Sequence, residues 1–213
     1  MTEEVLSYAP AAAILDVGYA QTPNTHLAGH GVKVYGVDLV EGPPEGYDAV
    51  YKCDLNTDPL PFKDGEIGAV TMGCVLAHVA NPLKVLAEIN RVLPIGGILV
   101  VSSPNPNYYW ETVLNVFYDT FRTRVSKAKH IEHFFEFSRY NMRTSGERAG
   151  FKLEKEIGFG FWLVKTPVKF NPLSWPGFAY EIIYAFKKVG PVSGHTVFED
   201  AQGLHKVPTN LYS

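Results

Sequence analysis

The sequence ILDVGYAQTPN (residues 14–24), followed by KVYGVD (residues 33–38), decides how this chain folds. The apolar residues of the first stretch predict a buried strand, the chain turns at Gly18, and a helix is expected to begin near Pro23. The second stretch predicts another strand that ends at Asp38. A strand, a tight turn, a helix and a strand ending in an acidic residue form the first half of a nucleotide-binding α/β unit.

Two residues of this unit have a predicted contact with a nucleotide. Gly18 has no Cβ, so the backbone can approach a ligand closely, and a valine there is expected to block the ligand while the protein still folds. The start of the helix beyond the turn offers free N–H groups to an anion. Asp38 follows the glycine turn by about 20 residues, a position from which a carboxylate can accept hydrogen bonds from both hydroxyls of a ribose.

The turn itself reads GYAQTP and contains one glycine, whereas the dinucleotide-binding fingerprint requires three. It is therefore a poor cradle for a pyrophosphate, and Asp16 before the turn is unusual for that fingerprint. The segment instead resembles the first motif of class I S-adenosylmethionine (SAM)-dependent methyltransferases, in which an acidic residue precedes a glycine-rich turn. Ala20 and Thr22 stand where that family usually has its second and third glycines.

A later block, residues 67–101, resembles the same family. A predicted strand leads into VLAHVANP (residues 75–82), then a helix with apolar residues spaced by three and four, Gly96-Gly97 at its end, and another strand. The resemblance places the Gly73 carbonyl near the ammonium of the methionine moiety. It also places Cys74 and Val75 beside the methyl-transfer point.

Asp54, at the end of a third predicted strand, resembles the family's acidic residue that binds the adenine amine, with the Leu55 N–H meeting a ring nitrogen. A turn-forming aspartate is the alternative interpretation. The resemblance thus implies SAM as the cofactor and a set of binding residues from four stretches. These are Asp16, Gly18, Tyr19 and Ala20; Asp38 and Leu39; Asp54 and Leu55; and Gly73, Cys74 and Val75.

The implied architecture is one α/β domain over residues 1–213, with a doubly wound, seven-stranded, mainly parallel sheet whose last strand is antiparallel. A helix capped by Ser138 is predicted before the last two strands. Residues 159–178 are rich in aromatics and prolines and are expected to form a loop near the pocket mouth. Residues 190–213 are expected to be a tail.

Residues 104–135 stand where the family has an insert after the fifth strand, so a helical lid is predicted there. An apolar helical stripe in this segment is followed by a basic run that could bind an anionic acceptor. The stripe is Trp110, Val113, Leu114, Phe117 and Phe121, and the basic residues are Arg122, Arg124, Lys127 and Lys129. The alternatives are a helix packed on the core and a solvated charged face.

The predicted reaction is the transfer of a methyl group from SAM to a small-molecule acceptor, with oxygen as the expected acceptor atom. A hydroxyl acceptor needs a base, and His78, His130 and His133 are the candidates, because histidine titrates near neutral pH. A purely structural role for His78 is the alternative. Two other functions remain open: a SAM or nucleotide binder without methyl transfer, and an NAD-linked oxidoreductase.

The composition limits the remaining possibilities. The 213 residues suit one domain, and a net charge of −3 argues against a broad nucleic-acid-binding surface. Cys53 and Cys74 are too few for a disulfide framework or a zinc site. No basic leader segment and no apolar run of about 18 residues is visible, so a cytoplasmic protein without a membrane span is expected.

Overall fold

Seven strands form the centre of the molecule. They are β1 (Ala13–Val17), β2 (Val34–Asp38), β3 (Ala49–Lys52), β4 (Ile67–Gly73), β5 (Ile98–Pro104), β6 (Phe151–Phe159) and β7 (Glu181–Lys188). They pair in one sheet in the order β3-β2-β1-β4-β5-β7-β6. Strands β1 to β5 run parallel, whereas β7 is antiparallel to both of its neighbours. The predicted mainly parallel sheet with an antiparallel last strand is therefore confirmed.

The computed structural model describes residues 1–8, 12–20, 23–40, 42, 44–108, 135–160 and 176–193. Most of the predicted lid lies outside the described residues, including its stripe, its basic run, His130 and His133. So do residues 161–175 of the aromatic segment and residues 194–213 of the predicted tail. Within the described part of the chain, no helix is long and apolar enough to cross a membrane. The same part contains no group of three or more His, Cys, Asp or Glu side chains that could hold a metal ion.

Three α-helices lie among the described residues, namely α1 (Thr2–Ser7), α2 (Pro82–Val92) and α3 (Arg139–Arg148). α2 begins after Asn81, whose side chain accepts a hydrogen bond from the backbone N–H of Lys84. α3 begins after Ser138, whose side chain accepts one from the backbone N–H of Asn141. The predicted cap of this helix is confirmed.

The end of α2 differs from the prediction. The helix stops at Val92 and Leu93 is extended, with ψ 140°, because the proline that follows at position 94 disfavours the helical conformation. Gly96 and Gly97 come afterwards, and the Gly97 N–H donates to the Pro94 carbonyl at 2.9 Å. These glycines form the turn into β5 and do not terminate the helix.

Two apolar clusters cover the two faces of the sheet. Successive residues of a strand point to opposite faces, so Leu15 joins the larger cluster under α2 and α3, whereas Ile14 joins the smaller cluster with α1. Burial of these side chains is the main favourable contribution to folding. The prediction of helices on both faces is confirmed, and the carboxyl ends of the parallel strands form a common edge between the two layers.

The helix predicted near Pro23 is wrong. The described residues after the Gly18 turn contain only a 3₁₀ helix of three residues, Thr25–Leu27. Gly29 and Gly31 follow with φ of +82° and +72°, left-handed values that an α-helix cannot include. The predicted anion site at an α-helical N-terminus is therefore absent from the described part of this segment.

Candidate active site

The strand order places a crevice at the carboxyl edge of the sheet. The chain leaves β1 for β2 on one side and later returns to β4 on the other, so the connections diverge between β1 and β4. In doubly wound folds, ligands bind at this switch point. The predicted site residues from the ends of β1, β2 and β4 all lie along this edge.

Gly18 forms the turn after β1 with φ +79°. Its N–H donates to the Val37 carbonyl at 2.9 Å, which ties the turn to β2. A Cβ added here would lie 2.2 Å from Cγ2 of Val75, the residue that follows Cys74 after β4. The glycine is therefore needed for the approach of the chain's own Val75. The expectation that the protein still folds with a valine at position 18 stays a prediction, and the added side chain would collide with Val75 as well as with a ligand.

Asp38 joins the ends of the first two strands. Its Oδ2 accepts a hydrogen bond from the Ala20 N–H at 3.0 Å, and its Oδ1 accepts one from the Val40 N–H at 3.3 Å. Each carboxylate oxygen can accept a further hydrogen bond, so a ribose diol can bind beside these contacts. The neighbouring Leu39 is 59% exposed and offers an apolar surface at the same edge.

Tyr19 faces away from the crevice. Its side chain is buried, its hydroxyl donates to the Val40 carbonyl at 3.1 Å, and its ring packs against Gly36 of β2. A Cβ at Gly36 would lie 2.7 Å from this ring, so the glycine makes room for it. Tyr19 can contact a ligand only through its backbone, which the sequence pattern did not reveal.

Asp16 lies in β1, and its side chain is buried. Its Oδ2 accepts hydrogen bonds from the hydroxyl of Tyr47 and from the Asn24 N–H, the latter at 3.2 Å. Burial raises the pKa of Asp16, although both hydrogen bonds act in the opposite direction. Within the described part of the chain, no residue binds Oδ1. Tyr47, which the sequence analysis did not single out, therefore orients the Asp16 carboxylate through Oδ2.

Replacing Asp16 by asparagine tests this arrangement. A carboxyl group whose pKa is raised by folding stabilises the protein when protonated, so its contribution is lost as pH rises above about 4, the unfolded value. At pH 7 the asparagine variant should therefore be at least as stable as the wild type, and the pH dependence of its unfolding should be flatter. Its affinity for SAM should fall by about 1–3 kcal/mol, because a charged acceptor is lost. Urea unfolding between pH 4 and 8 and calorimetry measure the two effects; reduced stability with unchanged affinity would contradict the assignment.

Asp54 follows β3 and forms a turn, as the alternative interpretation predicted. Its Oδ1 accepts hydrogen bonds from the backbone N–H and the side-chain Nδ2 of Asn56, at 2.9 and 3.0 Å. Asn56 in turn accepts the Ala80 N–H at 2.7 Å, and the Lys84 ammonium donates to its carbonyl at 2.9 Å. Asn56 and Lys84 were not predicted from the sequence as site residues. Their hydrogen bonds connect the loop after β3 to the segment after β4.

Cys74 has the only positive φ, +55°, of any non-glycine residue in the described part of the chain. Its N–H donates to the Ser102 carbonyl at 3.2 Å, and its Sγ lies 3.6 Å from Ser102 Oγ and 3.5 Å from Glu181 Oε1. Burial, reinforced by Glu181, raises the pKa of the thiol to about 11. Cys74 is therefore a neutral thiol at pH 7. Such strained backbone costs on the order of 1–3 kcal/mol and clusters at functional sites.

His78 lies close to this point. It ends the 3₁₀ helix Leu76–His78, its N–H donates to the Val75 carbonyl at 2.9 Å, and its side chain is half-buried. The adjacent Ala77 carbonyl accepts the Phe135 N–H at 3.2 Å, which brings the far end of the predicted lid to the same edge. A catalytic role for His78 stays a prediction.

These features define a class of protein. The seven-stranded sheet with a reversed β7, an acidic residue ending β2 and a crevice between β1 and β4 is the fold of class I methyltransferases. Residues 15–101 match the model of the methyltransferase domain family. This part of the chain is therefore similar to the methyltransferase domain family.

Similar proteins agree with that assignment. A segment of 135 residues is 32% identical to a demethylmenaquinone methyltransferase of Beutenbergia cavernae and covers 60% of this chain and 56% of that protein. The chain spans between 21% and 56% of the length of three curated relatives that it matches.

Solved structures of low identity share the fold. A SAM-dependent methyltransferase of Thermotoga maritima, described as a possible histamine N-methyltransferase, has a TM-score of 0.64 and 19% identity, with 88% of this chain and 86% of that chain covered. The 1,6-didemethyltoxoflavin-N1-methyltransferase of Burkholderia thailandensis, solved with bound 1,6-didemethyltoxoflavin and S-adenosylhomocysteine, has a TM-score of 0.58 and 16% identity. That match covers 89% of this chain and 76% of the other.

Proposed function

We propose that this protein transfers the methyl group of SAM to an oxygen atom of a small-molecule acceptor. The observation that carries the proposal is the grouping at one edge of the sheet of Gly18, Asp38 and the left-handed Cys74. The matched methyltransferase domain supports the same chemistry. SAM supplies a methyl group activated by a positively charged sulfur, so the protein must mainly align donor and acceptor and receive a proton.

The chain's own residues have separate roles in this proposal. Asp38 holds the ribose hydroxyls, and Asp54 with the Leu55 N–H holds the adenine. The Gly73 carbonyl and the open Oδ1 of Asp16 hold the ammonium of the methionine moiety. Each role matches a hydrogen-bonding capacity that the side chain or backbone group retains after its contacts with the described residues.

Aromatic side chains near the same edge favour a flat, apolar acceptor. Tyr108 and Tyr180 pack edge to face with ring centroids 5.7 Å apart, and Phe135 lies 6.4 Å from Phe137. Phe135 is 41% exposed and is available for a further ring contact. Catechol, a flat ring with two hydroxyls, is therefore the first acceptor to test. Demethylmenaquinone, the compound in the name of one relative, becomes menaquinone by gaining a methyl group on a ring carbon, so its reduced form tests transfer to carbon.

The test combines binding and turnover. Calorimetry with S-adenosylhomocysteine should show binding, and incubation with SAM and catechol should yield a product heavier by one methyl group, located on oxygen by fragmentation in a mass spectrometer. Methylation of reduced demethylmenaquinone on its ring carbon, with catechol unchanged, would overturn the oxygen assignment. Binding without turnover of either acceptor would favour a SAM binder without methyl transfer. A rise in melting temperature with NAD but not with SAM would favour the oxidoreductase interpretation.

A further prediction concerns the case of an anionic acceptor and the basic run of residues 122–129, which lies outside the described residues. Replacing Arg122 and Arg124 together by glutamine should leave SAM affinity intact and raise KM for an acceptor that carries a carboxylate or phosphate. The difference from wild type should shrink at high salt, because screening already weakens the wild-type contact. Steady-state kinetics with catechol and its carboxylated analogue measure this. If the variant and the wild type have the same KM for the carboxylated compound, the basic run does not bind the acceptor and is a solvated face.

A further inference from the structure

Glu181 occupies a position at the crevice that the sequence pattern did not reveal. Because β7 runs antiparallel to β5, its first residue lies at the carboxyl edge of the parallel strands, in register with Pro104. The side chain is half-buried, and its Oε1 accepts a hydrogen bond from the Cys74 thiol at 3.5 Å. A strand that is distant in sequence thus brings a carboxylate beside the residue that follows Gly73.

The described residues around Glu181 leave its charge uncompensated. Among the described residues, no Lys, Arg or His forms an ion pair with it. Its hydrogen-bond donor within the same residues is the Cys74 thiol, which stays protonated at neutral pH because the pKa of that thiol is raised to about 11. Ser102 supports the thiol from β5. A half-buried carboxylate held by a neutral donor is able to attract a cation or accept a proton.

The sheet order fixes the side of the crevice on which this carboxylate lies. Gly18 and Asp38, the proposed nucleoside contacts, come from β1 and β2, whereas Glu181 lies beyond β4 and β5. The methionine moiety of SAM is placed between these two groups, at the end of β4. The carboxylate is therefore on the far side of the sulfur from the nucleoside, the side from which an acceptor attacks.

We propose that Glu181 is the base that receives the proton of the acceptor hydroxyl. In this step the acceptor oxygen forms a bond to the methyl carbon, the bond between that carbon and sulfur breaks with its electron pair remaining on sulfur, and the hydroxyl proton moves to a Glu181 carboxylate oxygen. The products are the methyl ether, S-adenosylhomocysteine and protonated Glu181. This proposal rests on the proposed function, and its test separates the two.

The first test needs no acceptor. Sinefungin is a SAM analogue that carries a primary amine where SAM carries the methyl sulfonium, so its ammonium reports a negative charge on the acceptor side. The wild type should bind sinefungin more tightly than S-adenosylhomocysteine. Glu181→Gln should weaken sinefungin binding about tenfold, as expected for losing a charge-assisted hydrogen bond, with S-adenosylhomocysteine affinity unchanged. Glu181→Asp should retain part of the preference.

Glu154→Gln is the matched control, because Glu154 lies on the neighbouring strand β6 beside Lys152, at 3.4 Å, and should affect neither ligand. If Glu181→Gln weakens the binding of sinefungin and of S-adenosylhomocysteine by the same factor, Glu181 has a structural role and the proposal is overturned. An unchanged preference for sinefungin would overturn it as well. Failure of the wild type to bind S-adenosylhomocysteine would instead refute the proposed function, and this inference with it.

Turnover provides the second test. With catechol as the acceptor, Glu181→Gln should lower kcat about 100-fold, the usual scale for a general base, while KM for SAM stays near the wild-type value. Thermal melting verifies that the variant is folded. An unchanged kcat would remove Glu181 from proton transfer and leave His78 as the described candidate.

Discussion

Replacing Asp38 by alanine is expected to weaken SAM binding by about 1–3 kcal/mol, or about 5- to 150-fold. The carboxylate is proposed to accept both ribose hydroxyls, and hydrogen bonds to a charged acceptor are the strong ones. The structure adds a second cause, because Asp38 also accepts the Ala20 N–H at 3.0 Å and so holds the turn that the cofactor crosses. Calorimetric titration with SAM and with S-adenosylhomocysteine measures the loss.

Two further variants separate these causes. Asp38→Asn keeps an oxygen for the Ala20 N–H but loses the charge, so it should retain the turn and lose affinity. Asp48→Asn is the matched control, because Asp48 also accepts a backbone N–H, that of Val34 at 2.8 Å, at the opposite end of β2. SAM affinity should be unchanged in the control. Wild-type affinity in a folded Asp38→Ala variant would remove Asp38 from the site.

Gly18→Ala is expected to have the second large effect, on stability and on binding together. An alanine at φ +79° is strained, and its Cβ would collide with Val75 Cγ2. The two terms together should lower the free energy of unfolding by about 1–3 kcal/mol, the usual range for overpacking. SAM affinity should also fall, because relief of the collision moves either the turn or the segment after β4. Urea unfolding and calorimetry measure the two effects.

The chain offers controls that separate strain from collision. Gly29 has nearly the same φ, +82°, but a Cβ there would meet nothing within 4 Å, so Gly29→Ala should report backbone strain alone. In the double variant Gly18→Ala/Val75→Ala the collision is removed, and part of the lost stability should return beyond the sum of the single effects. If Gly18→Ala and Gly29→Ala lower the free energy of unfolding equally, the Val75 side chain moves away from the added Cβ without a loss of stability.

The sequence by itself determined the features that depend on near neighbours. The apolar runs located every strand of the sheet to within a few residues, and Asn81 to Pro82 and Ser138 marked helix starts that the structure retains. Asp38 could be placed at the crevice because strand ends of a parallel sheet share one edge. The early helix was predicted wrongly although the signal was present, since Gly29 and Gly31 interrupt it within the sequence itself.

Only the tertiary structure decided which side chains meet at the crevice. Tyr47 binds Asp16 across 31 positions, Glu181 meets Cys74 across 107, and Val75 contacts Gly18 from the segment after β4. Periodicity and turn preference report on a few adjacent residues, so they contain no information about such pairs. These contacts exist because folding stacks strands that are distant in sequence side by side, and the antiparallel direction of β7 alone puts Glu181 at the edge where the other strands end.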